Sequence, residues 1–81
     1  MEIKKLSQMM RGDRGIVATI RGHGNIQHRL VDMGVVKGSH IQVEKLAPLG
    51  DPMEVRVKGC ILSLRMNEAA MIDVACEGGR Q

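Results

Sequence analysis

The chain has 81 residues and a formal net charge of +3, and it contains seven Met but no Phe, Tyr or Trp. A chain of this length makes one small domain, which buries about 60–65% of the surface of its unfolded state. The missing aromatics argue against single-stranded nucleic-acid binding by base stacking and against an aromatic-lined groove for proline-rich peptides.

Only two cysteines occur, Cys60 and Cys76, with no secretory pattern before them. That usage predicts reduced thiols in a cytoplasmic protein rather than a disulfide framework. The N-terminal charges are followed by no apolar h-region, and no apolar run approaches the ~18 residues of a membrane span. No direct membrane insertion is expected. Acidic and basic residues are interleaved throughout, so the positive charge reads as a mixed solvated surface and no nucleic acid is expected as a partner.

In chain order, residues 6–15 read as a lead-in with a turn, in which Ser7 caps the turn and Leu6 and Met9 point inward. Ile16 to Ile20 is the first strong strand, β-branched, with Ile16, Ala18 and Ile20 assigned to its inner face. Gly22-His23-Gly24 interrupts it. A helix follows from Asn25, which is placed as its cap, and Gly34 ends it with Val35 folding back on the last turn. Ile26, Leu30 and Met33 share one helical face, leaving Gln27, His28, Val31 and Asp32 toward solvent. So short a helix needs the strands to hold it.

A strand over Ser39 to Leu46 turns Ile41 and Val43 inward. The loop Ala47-Pro48-Leu49-Gly50-Asp51-Pro52 is stiffened by its two prolines. Met53, Val55 and Val57 alternate inward against Glu54, Arg56 and Lys58; after Gly59, Cys60, Leu62 and Leu64 share the inner face. Asn67 is placed as the cap of a single helical turn, Met71 to Val74 closes the set, and residues 75–81 read as a loose tail around a core of 6–74. The architecture expected is mainly β: a small SH3-like antiparallel barrel of about five strands with few open edges and one short α-helix over an end.

Chemistry-bearing patterns are sparse. Ser7, Ser39 and Ser63 lack a nucleophile elbow, no phosphate-binding glycine motif is complete, and no enzyme is expected. No Cys-x2-Cys or His-x3-His occurs. His23, His28 and Cys76 are the weak metal candidates, with no resident cofactor expected and a divalent transition metal shared between chains left open. Cys60, on the inner face, reads as a buried inert thiol, and Cys76, near the terminus, as the exposed one.

Three stretches go further. Arg29-Leu30-Val31-Asp32-Met33-Gly34-Val35-Val36-Lys37-Gly38, the two-proline loop, and Glu54-Val55-Arg56-Val57-Lys58-Gly59 through Leu64-Arg65 resemble the FeoA family over about residues 6–74. Two departures are Lys37, where Pro is common, and Cys60, where an aromatic is frequent. The resemblance implies an SH3-like domain that serves bacterial ferrous iron uptake by binding the FeoB membrane transporter on its cytosolic side. That would place the chain at the inner face of the plasma membrane through its partner. The alternative implied is a small transition-metal-binding or metal-sensing domain. Pro48, Leu49, Gly50, Asp51 and Pro52, with His28, Val31 and Asp32, form the expected partner surface, and a weak homo-oligomer is allowed.

Overall fold

Alternation of apolar and polar residues organises the chain into strands, and the inward halves of those strands meet in one core. The structure, a computed structural model, describes residues 2–22 and 24–77. The elements are β1 (Glu2–Lys5), a 3-10 turn (Leu6–Gln8), β2 (Arg14–Ile20), α1 (Asn25–Asp32), β3 (His40–Leu46), β4 (Met53–Val57), β5 (Cys60–Leu64), α2 (Met66–Ala69) and β6 (Ile72–Cys76). The six strands form a single sheet in the order β1-β6-β2-β3-β4-β5, and every neighbouring pair is antiparallel.

The sheet therefore has six strands rather than about five, and it leaves β1 and β5 as edges instead of closing. The extra strand is β1, whose Glu2-Ile3-Lys4-Lys5 has too little alternation to announce itself. Its order comes from β6, with Ile3 opposite Ala75 and Lys5 opposite Asp73. The expected loose tail is corrected at its start: Ala75 and Cys76 belong to β6, and the Glu77 N–H donates to the Arg14 carbonyl at 3.0 Å. Residues 78–81 lie outside the described residues.

Strand β2 has the opposite register to the one expected for its first half. Val17 is buried, whereas Ile16 and Ala18 are only partly covered. The cause is Gly15. A Cβ on it would stand 2.3 Å from the Ala75 carbonyl oxygen and 2.8 Å from Val74 Cγ1, so only glycine lets β2 approach β6 here. A bulge then inserts Ala18 between Val17, opposite Val74, and Thr19, opposite Asp73. The extra residue restores Ile20 to the inner side, opposite the fully buried Ile72.

Elsewhere the alternation holds. Ile41 and Val43 on β3, and Met53, Val55 and Val57 on β4, are at most 3% exposed. Leu6, Met9, Leu30, Val35, Leu64, Ala69, Ile72 and Val74 complete the buried cluster, with Leu62 packed against it. Methionine substitutes for the missing aromatics: Met9 and Met53 are fully buried. Cys60 shares the inner face of β5 with Leu62 and Leu64 yet is exposed, because its partner Val57 is the last core position before the hairpin turn. Cys76, expected to be exposed, is instead partly covered and packed against the core.

Candidate functional site

The two-proline loop lies at the Met53–Leu64 end of β4 and β5 and is joined through α2 to α1 by side-chain contacts. The loop is closed by its own backbone: the Gly50 N–H donates to the Ala47 carbonyl (2.7 Å) and the Ala47 N–H to the Pro52 carbonyl (3.1 Å). Gly50 has φ +84°, a conformation open to glycine, and the Asp51–Pro52 peptide is cis. This turn lifts Leu49 off the domain, leaving it 95% exposed. Asp51 faces back toward the fold. Its Oδ1 accepts the Met66 N–H at 3.1 Å, which satisfies a free donor in the first turn of α2.

Helix α2 carries the link onward. The Arg65 N–H donates to Glu68 Oε1 at 2.9 Å, so a glutamate three residues inside the helix satisfies the residue that precedes it. The other oxygen, Oε2, meets Arg29 Nε of α1 at 3.1 Å. The Glu68 side chain is 6% exposed and that of Arg29 58%. A buried carboxylate thus holds α1 against α2 while the guanidinium stays hydrated, which avoids the cost of burying both ions. The cap of α2 is Arg65 and not Asn67, which lies inside the helix.

Helix α1 is likewise shifted by one residue. Gly24, with φ +65°, precedes it, and Asn25 is its first helical residue with no capping bond. Its C-terminus is a Schellman closure: the Val35 N–H reaches the Leu30 carbonyl (2.9 Å) and the Gly34 N–H the Val31 carbonyl (2.9 Å), with Gly34 at φ +98°. Leu30 is buried, while Ile26 and Met33 are half-buried against the core. Gln27, His28, Val31 and Asp32 are exposed, Val31 to 46%.

Of the partner-surface residues, Pro48, Leu49, Asp51 and Pro52 are exposed and Gly50 is half-buried. Glu68, Arg29 and Arg65, which join the elements, were not singled out in the sequence. The signal was an Arg65-x-x-Glu68 spacing hidden behind a cap placed two residues too late.

His23 lies outside the described residues, and among those described no three His, Cys, Asp or Glu side chains group so as to hold an ion. Burial pushes the Cys76 thiol above its ordinary pKa, and its Sγ lies 3.8 Å from the Val74 carbonyl oxygen. No described helix is long and apolar enough to cross a membrane.

The model of the FeoA domain matches residues 4–76. The Fe(2+) transport protein A/Fe(2+) transporter FeoB fusion protein of Porphyromonas gingivalis is 37% identical over 70 residues, 86% of this chain. The chain aligns with only 8% of the length of that fusion protein. The solution structure of the FeoA protein from Chlorobium tepidum superposes with a TM-score of 0.86 at 40% identity, covering 96% of this chain and 74% of that one. Stenotrophomonas maltophilia FeoA complexed with zinc, a procaryotic SH3 domain protein, gives 0.71 at 30% identity, over 85% and 86% of the two chains. The open six-stranded sheet is accordingly an SH3-like fold.

Proposed function

The chain belongs to the FeoA family, which is associated with ferrous iron transport, and from that premise we propose that it is an accessory subunit that binds a FeoB-type transporter on its cytosolic face. One observation carries the proposal: in the Porphyromonas gingivalis relative the two proteins are a single fused chain. Fusion holds two partners at a high effective concentration, which is of use only if they act together. The domain then works as a binding module, with no catalytic step of its own, and regulates the transporter by occupying its surface.

The loop–α1 end suits this role. Leu49 presents an apolar side chain on a loop already fixed by backbone bonds, so docking costs little conformational entropy. Val31 adds a second exposed apolar side chain on α1, and the Asp51 and Glu68 contacts hold loop and helix in place. A pull-down of the full chain against the separate cytosolic and membrane parts of a FeoB-type transporter tests the reading. Retention by either part is expected; retention by neither would refute it.

A second reading, a transition-metal-binding module, is supported by the zinc complex of the Stenotrophomonas maltophilia relative. Calorimetry with zinc or ferrous ion under reducing conditions separates the two. Tight binding at one ion per chain, lost on substituting His23, His28 or Cys76, would favour the metal reading.

A further inference from the structure

The geometry points to a docking groove for an acidic segment of a partner protein, on the outward sheet face beside the Lys58–Gly59 hairpin, with Glu77 as its built-in occupant. This face lies at the opposite end of β4 and β5 from the Leu49 loop, and the inference stands without the transporter reading. The register builds it. Arg14 opposes Gln42, and Gln42 opposes Arg56, while the next row, Gly15, Ile41 and Val57, belongs to the core side. Arg14 and Arg56 therefore stand on one outer face two strands apart, about 9–10 Å, with half-buried Gln42 between them. His40 and Lys58 complete the lining, together with Glu77.

The carboxylates already present show what the groove accepts. Glu77 Oε1 lies 3.4 Å from Arg14 Nε, and its Oε2 lies 3.9 Å from His40 Nδ1. Arg56 Nε holds Glu44 Oε2 at 2.9 Å, and Glu44 is the extra residue of the β3 bulge between Val43 and Lys45. No described carboxylate lies within ion-pair distance of Lys58. Lys58 also occupies φ +54°, in a two-residue turn that ordinarily takes Asn, so a cation is held at the groove mouth in a backbone conformation that disfavours lysine. Beside the cations runs an apolar row, Ile3, Ala75 and Ile16 paired across β1, β6 and β2, with Ile3 58% exposed. A protein segment with a block of acidic side chains followed by a block of apolar ones, laid across the strands, satisfies both rows. An inorganic anion or a lipid headgroup uses only the cations.

The test is a titration of the full chain with a peptide of a Glu-rich half followed by a Val-rich half, alongside inorganic phosphate and vesicles containing phosphatidylglycerol. Lys58→Asn keeps a residue suited to the turn and removes the charge; it is expected to weaken peptide binding about two- to fivefold. Glu77→Gln removes the competing carboxylate and is expected to tighten it about two- to fivefold. Arg65→Gln makes the same net-charge change as Lys58→Asn at the far end of β5, beyond a Debye length of ~10 Å at 0.1 M salt, and should leave affinity unchanged. Three results would overturn the inference: equal losses for Lys58→Asn and Arg65→Gln, no gain for Glu77→Gln, or phosphate or vesicles bound more tightly than the peptide.

Discussion

Asp51 and Leu49 sit two positions apart on one loop and do different work. The Asp51 carboxylate accepts the Met66 N–H, whereas Leu49 is almost wholly solvent-exposed. Asp51→Ala should thus lower stability by about 0.5–2 kcal/mol, the cost of losing such an acceptor at a helix start. Leu49→Ser should leave Tm essentially unchanged. Thermal melts of the two variants check this, and the Asp51 result departs from the purely surface role that the sequence suggested for it. The bond could not be foreseen, since it joins a loop to a helix fifteen positions on. The thiols are a second case. Exposed Cys60 should be alkylated first at neutral pH, and Cys76, partly covered and with its pKa raised by burial, should react appreciably only at a pH above that of an ordinary thiol. Mass spectrometry after iodoacetamide treatment across a pH series reads both sites. Their accessibilities were reversed in the sequence because strand alternation gives the face of Cys60 but not how far the core extends along it.

Among the elements, β3, β4 and the stripe of α1 were legible, because several alternating or helically spaced apolar residues agree with one another. Strand β2 was not. Ile16, Ala18 and Ile20 form as regular a pattern as any in the chain, yet the bulge at Ala18 and the close approach at Gly15 put Val17 inside. Both features sit in β2 but are set by its pairing with β6, and they leave no local trace beyond one glycine. Gly15→Ala tests the approach directly. The added methyl would collide with the Ala75 carbonyl, a backbone atom that cannot turn aside, so β2 and β6 must separate. A loss of about 1–3 kcal/mol is expected, the usual cost of overpacking, read by chemical denaturation; a neutral result would contradict the packing drawn here. Strand β1 was invisible for a related reason: an edge strand with three charged residues in four takes its order from its neighbour.

For the molecule as a whole, strands β2 to β6, the 3-10 turn and both helices contribute to one buried cluster, and the chain achieves this without an aromatic side chain. The mainly β, SH3-like character was legible from turn spacing and alternation. The family likeness was legible in the helix end, the two-proline loop and the strand after it. The contacts that join the loop, α2 and α1 were not, since Arg29–Glu68 and Asp51–Met66 depend on the finished fold. The proposed docking of the Leu49 loop end on a FeoB-type transporter is tested most directly by a binding isotherm of the purified transporter with wild-type chain and the Leu49→Ser variant. Saturable binding by wild type is expected, with a loss of about tenfold or more for a well-folded Leu49→Ser, the size of effect seen when a buried interface anchor is truncated. Equal affinity for the two proteins would contradict it and exclude Leu49 as the anchor of that contact.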